Sequence, residues 1–245
     1  MMKIKTFLLS VLLAVSTAAP ALAQSVNIDL GDSGGSSTAR IVQLVLLLTV
    51  LSVAPSILMM VTSFTRIAIV FSIARQALGT SQTPSNMVLV ALALFMTGFI
   101  MTPTFEKAWD NGIYPLIEEK IETKEALERT VQPFKEFMLK NVRPKDLQLF
   151  MDFSKTTQVE TPQDTPLGAL IPAFMISELR RAFEIGFLIF IPFLIIDMVV
   201  SSVLMSMGMM MLPPSMLSMP FKLIFFVLVD GWYMLVGSLV KSFAT

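Results

Sequence analysis

The stretch between Arg40 and Arg66 contains no charged residue, and this feature constrains the fold more than any other. Within it, Ile41 to Met60 consists mostly of Val, Leu, Ile and Met. A helix of about 20 such residues crosses the hydrocarbon layer of a bilayer, which is about 30 Å thick. The stretch therefore predicts a membrane-spanning helix, in which Pro55 should introduce a kink or a break.

Three further apolar segments follow along the chain: Met87 to Thr102, Ile185 to Ser206 and Leu223 to Val240. Composition agrees with a membrane protein, because 54% of the 245 residues are hydrophobic, only 15% are charged and the mean hydropathy is +0.74. Soluble domains of average composition carry about 25% charged residues. The chain is therefore predicted to be an all-α, multi-pass integral membrane protein built from helical hairpins.

The first residues have the pattern of a secretory signal peptide. Lys3 and Lys5 precede an apolar run from Phe7 to Val15, and small residues follow at Ala21 and Ala23. That run is much shorter than the roughly 20 residues of a membrane span, so we predict a signal peptide over 1–23, cleaved after Ala23.

The sidedness of the segments is predicted from their flanking charges. The connector between the first two apolar segments carries Arg66 and Arg75 and no acid, which predicts a cytoplasmic position. Residues 106 to 181 contain 11 basic and 13 acidic residues and so predict a solvated domain on the other side. The predicted organisation is a signal peptide (1–23), a flexible polar tail (24–40), a first membrane hairpin (41–103), a polar extracytoplasmic helical domain (104–184), and a second membrane hairpin (185–245) with a methionine-rich loop (207–219).

Two amphipathic helices are predicted in the polar domain. Apolar residues recur at helical spacing from Ile117 to Lys140, and Pro144 can begin a second helix that reaches Phe153. Phe137 and Phe150 lie on aromatic faces of these helices. Such faces form either an internal core or a contact with a neighbouring subunit.

The loop after the third apolar segment is unusually rich in methionine. Methionine side chains are flexible and polarizable, so several of them can close around nothing and still deform around many shapes. The alternative is that they fill irregular packing, as methionine often does in membrane segments. A glycine within the run and two prolines after it favour a sealing role for Met207, Met209, Met210 and Met211.

Asp197 and Asp230 lie within apolar segments, and Lys222 immediately precedes the last one. An ionised carboxylate facing lipid at mid-bilayer costs about 2.5–3.5 kcal/mol, so both acids should face protein, water or a counter-charge. A structural hydrogen bond and a role in proton relay both remain open. Lys222 is no obvious partner of Asp230 within one helix, because eight residues separate them by about 12 Å.

A charged group lies where the polar domain meets the third apolar segment. Glu178, Arg181 and Glu184 follow one another at i, i+3 spacing, with Arg180 beside them. These residues can pair within one helix or across subunits, and the spacing does not distinguish the two.

No catalytic or metal-binding pattern is present in the sequence. The chain has no cysteine and no histidine, and no phosphate-binding glycine loop with its lysine occurs. Eighteen basic and eighteen acidic residues leave no net charge for attracting nucleic acid. We therefore predict a protein that is not an enzyme and has no cofactor, no metal and no nucleic-acid partner.

Several motifs resemble the family of flagellar type III export-gate P proteins, and together they cover nearly all of the chain after the signal peptide. They are Met59 to Thr80, Pro172-Ala173-Phe174, Ser177-Glu178-Leu179, Ala182 to Phe187, Met207 to Pro214, Pro220-Phe221-Lys222 and Asp230-Gly231-Trp232. The predicted signal peptide favours the flagellar branch over the related injectisome proteins.

The resemblance implies a subunit of an oligomeric pore in the bacterial inner membrane, at the flagellar basal body. Several copies of the chain, five by the resemblance, would assemble with the Q and R export-gate subunits beside gate proteins A and B. Unfolded flagellar proteins would pass through the centre, with Met209 to Met211 at the constriction. Phe137, Phe150 and Glu178 would contribute to subunit contacts.

Two other functions remain open at this stage. One is a small-solute or ion transporter that uses Asp197 and Asp230 as coupling sites, although no internal repeat is visible in the sequence. The other is a membrane scaffold without a pore.

Overall fold

The computed structural model describes residues 37–80, 82–154, 161–208 and 213–244. Helices and turns account for these ranges, and no strand occurs in them, which confirms the all-α prediction. The predicted signal peptide and most of the predicted polar tail lie outside the described residues, as do Met209, Met210 and Met211.

Nine α-helices occur in the described ranges. They are α1 Ser37–Met60, α2 Phe64–Ala77, α3 Asn86–Ala108, α4 Tyr114–Ile117, α5 Thr123–Asn141, α6 Pro144–Phe153, α7 Leu167–Ser206, α8 Pro214–Leu228 and α9 Gly231–Ala244. A π-helical turn, Trp109–Ile113, joins α3 to α4, and a short 3-10 turn, Pro162–Asp164, precedes α7.

The helix predictions hold in part. Helix α6 has the predicted bounds and begins with Pro144, whose missing N–H costs nothing in a first helical turn. The helix predicted from Ile117 instead begins at Thr123, because the chain turns at Glu119, which has a φ of 56°. Helix α1 continues through Pro55 without a break and ends five residues later.

Among the described residues, two continuous helical stretches are long and apolar enough to cross a membrane: Asn86–Ile117 and Leu167–Ser206. The number rises to four if each of two bent helix pairs counts as one span. At about 1.5 Å per residue, the 40 residues of α7 extend for about 60 Å, about twice the hydrocarbon thickness. Helix α7 therefore continues beyond any bilayer that it crosses, and it passes without interruption through the predicted domain boundary at residue 184.

The fourth predicted segment is broken in the middle. Helices α8 and α9 meet at an angle of 62°, and Asp230 lies at the break with a φ of 51°. This left-handed conformation is uncommon for residues other than glycine, although aspartate is among the side chains that tolerate it. Gly231 follows at once, and a Cβ there would collide with the ring of Phe226.

The main apolar core surrounds α2. The chain divides into two compact units after Thr49, inside α1, and this core belongs to the second unit, Val50–Thr245. In that unit α2 packs against α7 and α3. The buried members of this core are Ile67, Val70, Phe71, Ala74, Ala77, Leu78, Leu89, Ala93, Met96, Ala182, Phe193, Phe226, Leu235, Leu239 and Phe243.

A second, smaller core joins the amphipathic helices to the first part of α7. Its buried members include Met138, Leu170 and Phe174. Phe137 packs against both cores, with its ring centroid 5.9 Å from that of Phe174 and 6.0 Å from that of Phe243. The polar segment is therefore packed onto the apolar helices.

Candidate functional site: polar pairs among apolar helices

A fully buried ion pair joins α2 to α7. Arg66 is 1% exposed and Glu178 0% exposed. The guanidinium Nε donates to Glu178 Oε2 over 2.7 Å, and Nη2 donates to Oε1. This two-point arrangement matches the planar guanidinium to the carboxylate, and it balances both charges in an apolar interior.

The remaining guanidinium nitrogen of Arg66, Nη1, faces α9. Its Nη1 donates to the Ser242 hydroxyl over 2.9 Å and to the Ser242 carbonyl over 3.2 Å. The ring of Phe243 lies 3.6 Å from the guanidinium carbon, within the range of a cation–π contact. A single side chain therefore connects α2, α7 and α9.

Ser177, next to Glu178 on α7, contacts the start of α6. The Ser177 hydroxyl lies 2.7 Å from Asp146 Oδ2 and accepts the backbone N–H of Arg143 over 3.0 Å. The Arg143 side chain also donates to Asp146. Ser177 and Glu178 thus form one polar level at which four helices meet.

This polar level conflicts with the predicted sidedness. The sequence predicts a cytoplasmic connector for Arg66 and an extracytoplasmic domain for Glu178, yet their side chains are in direct contact. The two residues lie at one level of the molecule, so those two assignments exclude each other. Positive charge near an apolar segment is a poor guide to sidedness when its counter-charge is buried with it.

A second polar pair joins α7 to α8. Lys222 is 5% exposed, and its Nζ donates to Asp197 Oδ2 over 2.6 Å. The Ser218 hydroxyl donates to Asp197 Oδ1 over 2.5 Å. Lys222 therefore does have an acidic partner, but on the neighbouring helix and not at Asp230.

Asp230 has a different setting from Asp197. It is exposed at the α8–α9 bend, where its carbonyl oxygen accepts the N–H of Met234 over 3.1 Å. The two acids that looked alike in the sequence differ in burial, in partners and in backbone conformation.

The methionine-rich loop connects the paired helices α7 and α8. Met207 ends α7 and is 66% exposed, and Gly208 follows with a φ of +73°, which suits glycine. Met216, on the first turn of α8, is 71% exposed. The other proposed sealing residues, Met209, Met210 and Met211, lie outside the described part of the chain.

The remaining proposed contact residues separate into an inner and an outer group. Glu178 is inside the chain, and Phe137 is half-buried between the two cores. Phe150 is also half-buried, but its ring neighbour Phe153 is 73% exposed. On the exposed side of α7, Glu184 accepts a hydrogen bond from Arg180 over 2.8 Å.

Arg181 forms neither of the i, i+3 pairs that its spacing indicated, since Glu178 pairs with Arg66 and Glu184 with Arg180. No group of three Asp, Glu, His or Cys side chains in the described ranges could hold a metal ion. Arg66, Ser177 and Ser218 were not singled out from the sequence as site residues. The signal for Arg66 was its position at the end of a long uncharged stretch, where a lone cation requires a partner.

Comparison with known proteins agrees with the family resemblance of the motifs. The sequence model of the FliP family matches residues 47–239, which is most of the chain. The chain belongs to the FliP family. Both polar pairs of this FliP family member fall inside the matched region.

Curated relatives extend over nearly the same length. The chain is 58% identical over 240 residues to the flagellar biosynthetic protein FliP of Caulobacter vibrioides, covering 96% of this chain and 90% of the relative. It is 51% identical to the FliP of Rhizobium meliloti over 245 residues, 99% and 100% of the two chains. The FliP of Bacillus subtilis is 58% identical over 202 residues, 82% and 91% of the two chains.

Proposed function

We propose that this FliP family member is a subunit of the flagellar type III protein-export pore in the bacterial inner membrane, and that it has no enzymatic activity. The single observation that carries the proposal is the family match over residues 47–239. The relatives named above are flagellar biosynthetic proteins, and their similarity extends over most of each chain. We place this subunit at the flagellar basal body.

The exposed apolar surface supports assembly with other chains and with lipid. Of the 18 most apolar consecutive residues of α7, only 6% are buried within the chain. Phe183, Phe187 and Leu188 of this helix are each more than 60% exposed. Because α7 is about 60 Å long, a bilayer covers only about half of it. The first part of α7 packs into the second core of this chain, and its exposed apolar side chains are available to partner chains.

The proposed partners are other copies of the chain, five in all, together with the Q and R export-gate subunits and gate proteins A and B. Unfolded flagellar proteins are the cargo. Phe150, Arg181 and Glu184 contact neighbouring subunits directly. Phe137 and Glu178 lie inside the chain, so they support the contact surface and do not contact the neighbouring subunit themselves.

A methionine seal is the proposed mechanism. Met207, Met209, Met210 and Met211 from several chains converge on the pore axis, close against ions at rest and deform around an extended polypeptide. The exposure of Met207 at the end of α7 supports this arrangement. No nucleotide-binding motif occurs in the sequence, so partners supply the energy for export.

The transporter alternative is weakened by the setting of Asp197, which is paired with Lys222 and is therefore not a free intramembrane carboxylate. A non-conducting scaffold is distinguished from a pore by the leak experiment below.

The test is to replace Met209, Met210 and Met211 together by alanine and measure both ion leak across the membrane and secretion of flagellar proteins. A seal predicts increased leak with export retained, because alanine is too short to close the ring. Met198→Ala is the matched control, since Met198 is an exposed methionine of α7 outside the proposed ring. Unchanged leak in the triple variant would remove the seal and favour the scaffold.

A further inference from the structure

The Asp197–Lys222 pair is placed where it can control the spacing of α7 and α8. These helices are consecutive and antiparallel neighbours, and the methionine-rich loop connects them. At about 1.5 Å per residue, Asp197 lies about 15 Å before Met207, and Lys222 lies about 12 Å after Pro214. We call the parts of α7 and α8 that flank the loop its two stems. The pair therefore bridges the two stems at similar distances from the loop.

Asp197, Ser218 and Lys222 form a hydrogen-bonded polar group between two largely apolar helices. Both carboxylate oxygens of Asp197 are used, one by Lys222 and one by Ser218. Ser218 and Lys222 lie one helical turn apart on α8, so both donors point toward the same carboxylate. Ser218 is 0% exposed and Lys222 5% exposed, which leaves these two donors little access to other partners.

The same lysine also reaches the turn after α2. A Cβ placed on Gly79 would lie 4.0 Å from the Lys222 Nζ and 3.9 Å from Cγ of Met219. Gly79 has a φ of +77°, so the turn brings bare backbone beside the ammonium group. The pair thus connects the two stems to each other and to the end of the core helix α2.

We infer that Asp197, Ser218 and Lys222 form a clamp that sets the separation of α7 and α8 and thereby positions the methionine residues for sealing. The inference rests on the proposed seal. These three are positioning residues, and they act through the stems and not by touching the cargo. A pair in which Lys222 is buried and Asp197 is partly exposed suits this role, because any separation of α7 and α8 leaves the buried lysine without its partner.

The clamp can be tested by measuring the stem separation directly. The chain has no cysteine, so single cysteines at Ser202 and Ser215, both exposed, can carry spin labels. Distances are measured in the membrane-embedded full-length protein, with labelled chains diluted among unlabelled ones. The variants are Asp197→Asn, Lys222→Met and the reciprocal exchange Asp197→Lys with Lys222→Asp.

Each single variant should broaden the distance distribution and raise the fraction of separated stems about tenfold, which corresponds to about 1.4 kcal/mol. The exchange should restore the narrow distribution. Asp230→Asn, the control for loss of an intramembrane acid, should leave it narrow. If a single variant fails to fold, Ser218→Ala removes one hydrogen bond only and should give a smaller broadening.

Ion leak separates this inference from the proposed function. Increased leak in the single variants, lowered again by the exchange, supports the clamp. A narrow distribution in both single variants overturns it, as does normal leak in a strain in which the methionine triple variant leaks. If the triple variant does not leak, the seal itself is wrong and the inference that rests on it falls with it.

Discussion

At the scale of single residues, the buried pair of Arg66 and Glu178 has a large energetic consequence. Taking two charges out of water is costly, and the pair is tolerated because each partner neutralises the other and Ser242 occupies a further guanidinium donor. Removing one partner leaves an uncompensated charge among apolar side chains. The exposed pair of Arg180 and Glu184 is solvated whether it forms or not.

Glu178→Gln should therefore lower the free energy of unfolding by about 3–5 kcal/mol. Arg66→Lys should also destabilise, because an ammonium group cannot reproduce the two-point contact. Urea unfolding of the purified protein in detergent measures both. Arg180→Ala serves as the control and should be close to neutral, and equal effects at the exposed and the buried pair would contradict this account.

At the scale of helices, the contact between α2 and α7 depends on one small residue. A Cβ on Gly186 would approach Ile73 Cγ2 to 2.9 Å, closer than side chains pack. Ile73 is half-buried on α2, so α7 can approach it only where the side chain is absent. Small residues allow such close approach of helices in membranes.

Gly186→Ala should destabilise the protein by about 1–3 kcal/mol through overpacking at this contact. Ile73→Ala in the same chain should recover part of the loss, because it removes the clashing atoms. Gly98→Ala is the matched control: a Cβ there has no atom within 4 Å. Since alanine is a better helix former than glycine, Gly98→Ala should be neutral or slightly stabilising. The same loss at both glycines would show that helix propensity and not packing governs Gly186.

At the scale of the whole molecule, the two aromatic residues proposed for subunit contacts have different environments. Phe137 joins both cores and contacts Phe174 and Phe243. Phe150 is also half-buried, but it packs against the second core only, beside the exposed ring of Phe153. In the proposed assembly, the first residue supports the fold on which the contact surface depends, and the second is part of that surface.

Phe137→Ala should lower both the amount of oligomer and the stability of the separated subunit, the latter by about 3 kcal/mol. Phe150→Ala should lower the amount of oligomer with a much smaller loss of subunit stability. Sizing in mild detergent and unfolding of the separated subunit measure the two effects. Leu127→Ala, at an exposed position on α5, is the control for truncating an apolar surface residue. Equal loss of subunit stability at Phe137 and Phe150 would rule out the proposed division of roles.

Local pattern was sufficient for part of this molecule. Uncharged runs predicted α1, α3 and the second half of α7, and Pro144 predicted the start of α6, because helix formation depends on neighbours three and four residues apart. The turn at Glu119 and the bend at Asp230 could not be predicted in this way, since both require a positive φ at a residue other than glycine.

From the residues alone it follows that this chain is helical, that its apolar segments are suited to a membrane and that the few charges within them require partners. Which partners those are depends on the arrangement of the helices. Arg66 and Glu178 are 112 residues apart, and Asp197 and Lys222 are 25 residues apart. The physical reason is that an ion pair depends on how helices are arranged in space, and helical periodicity contains no information about which helix lies beside which.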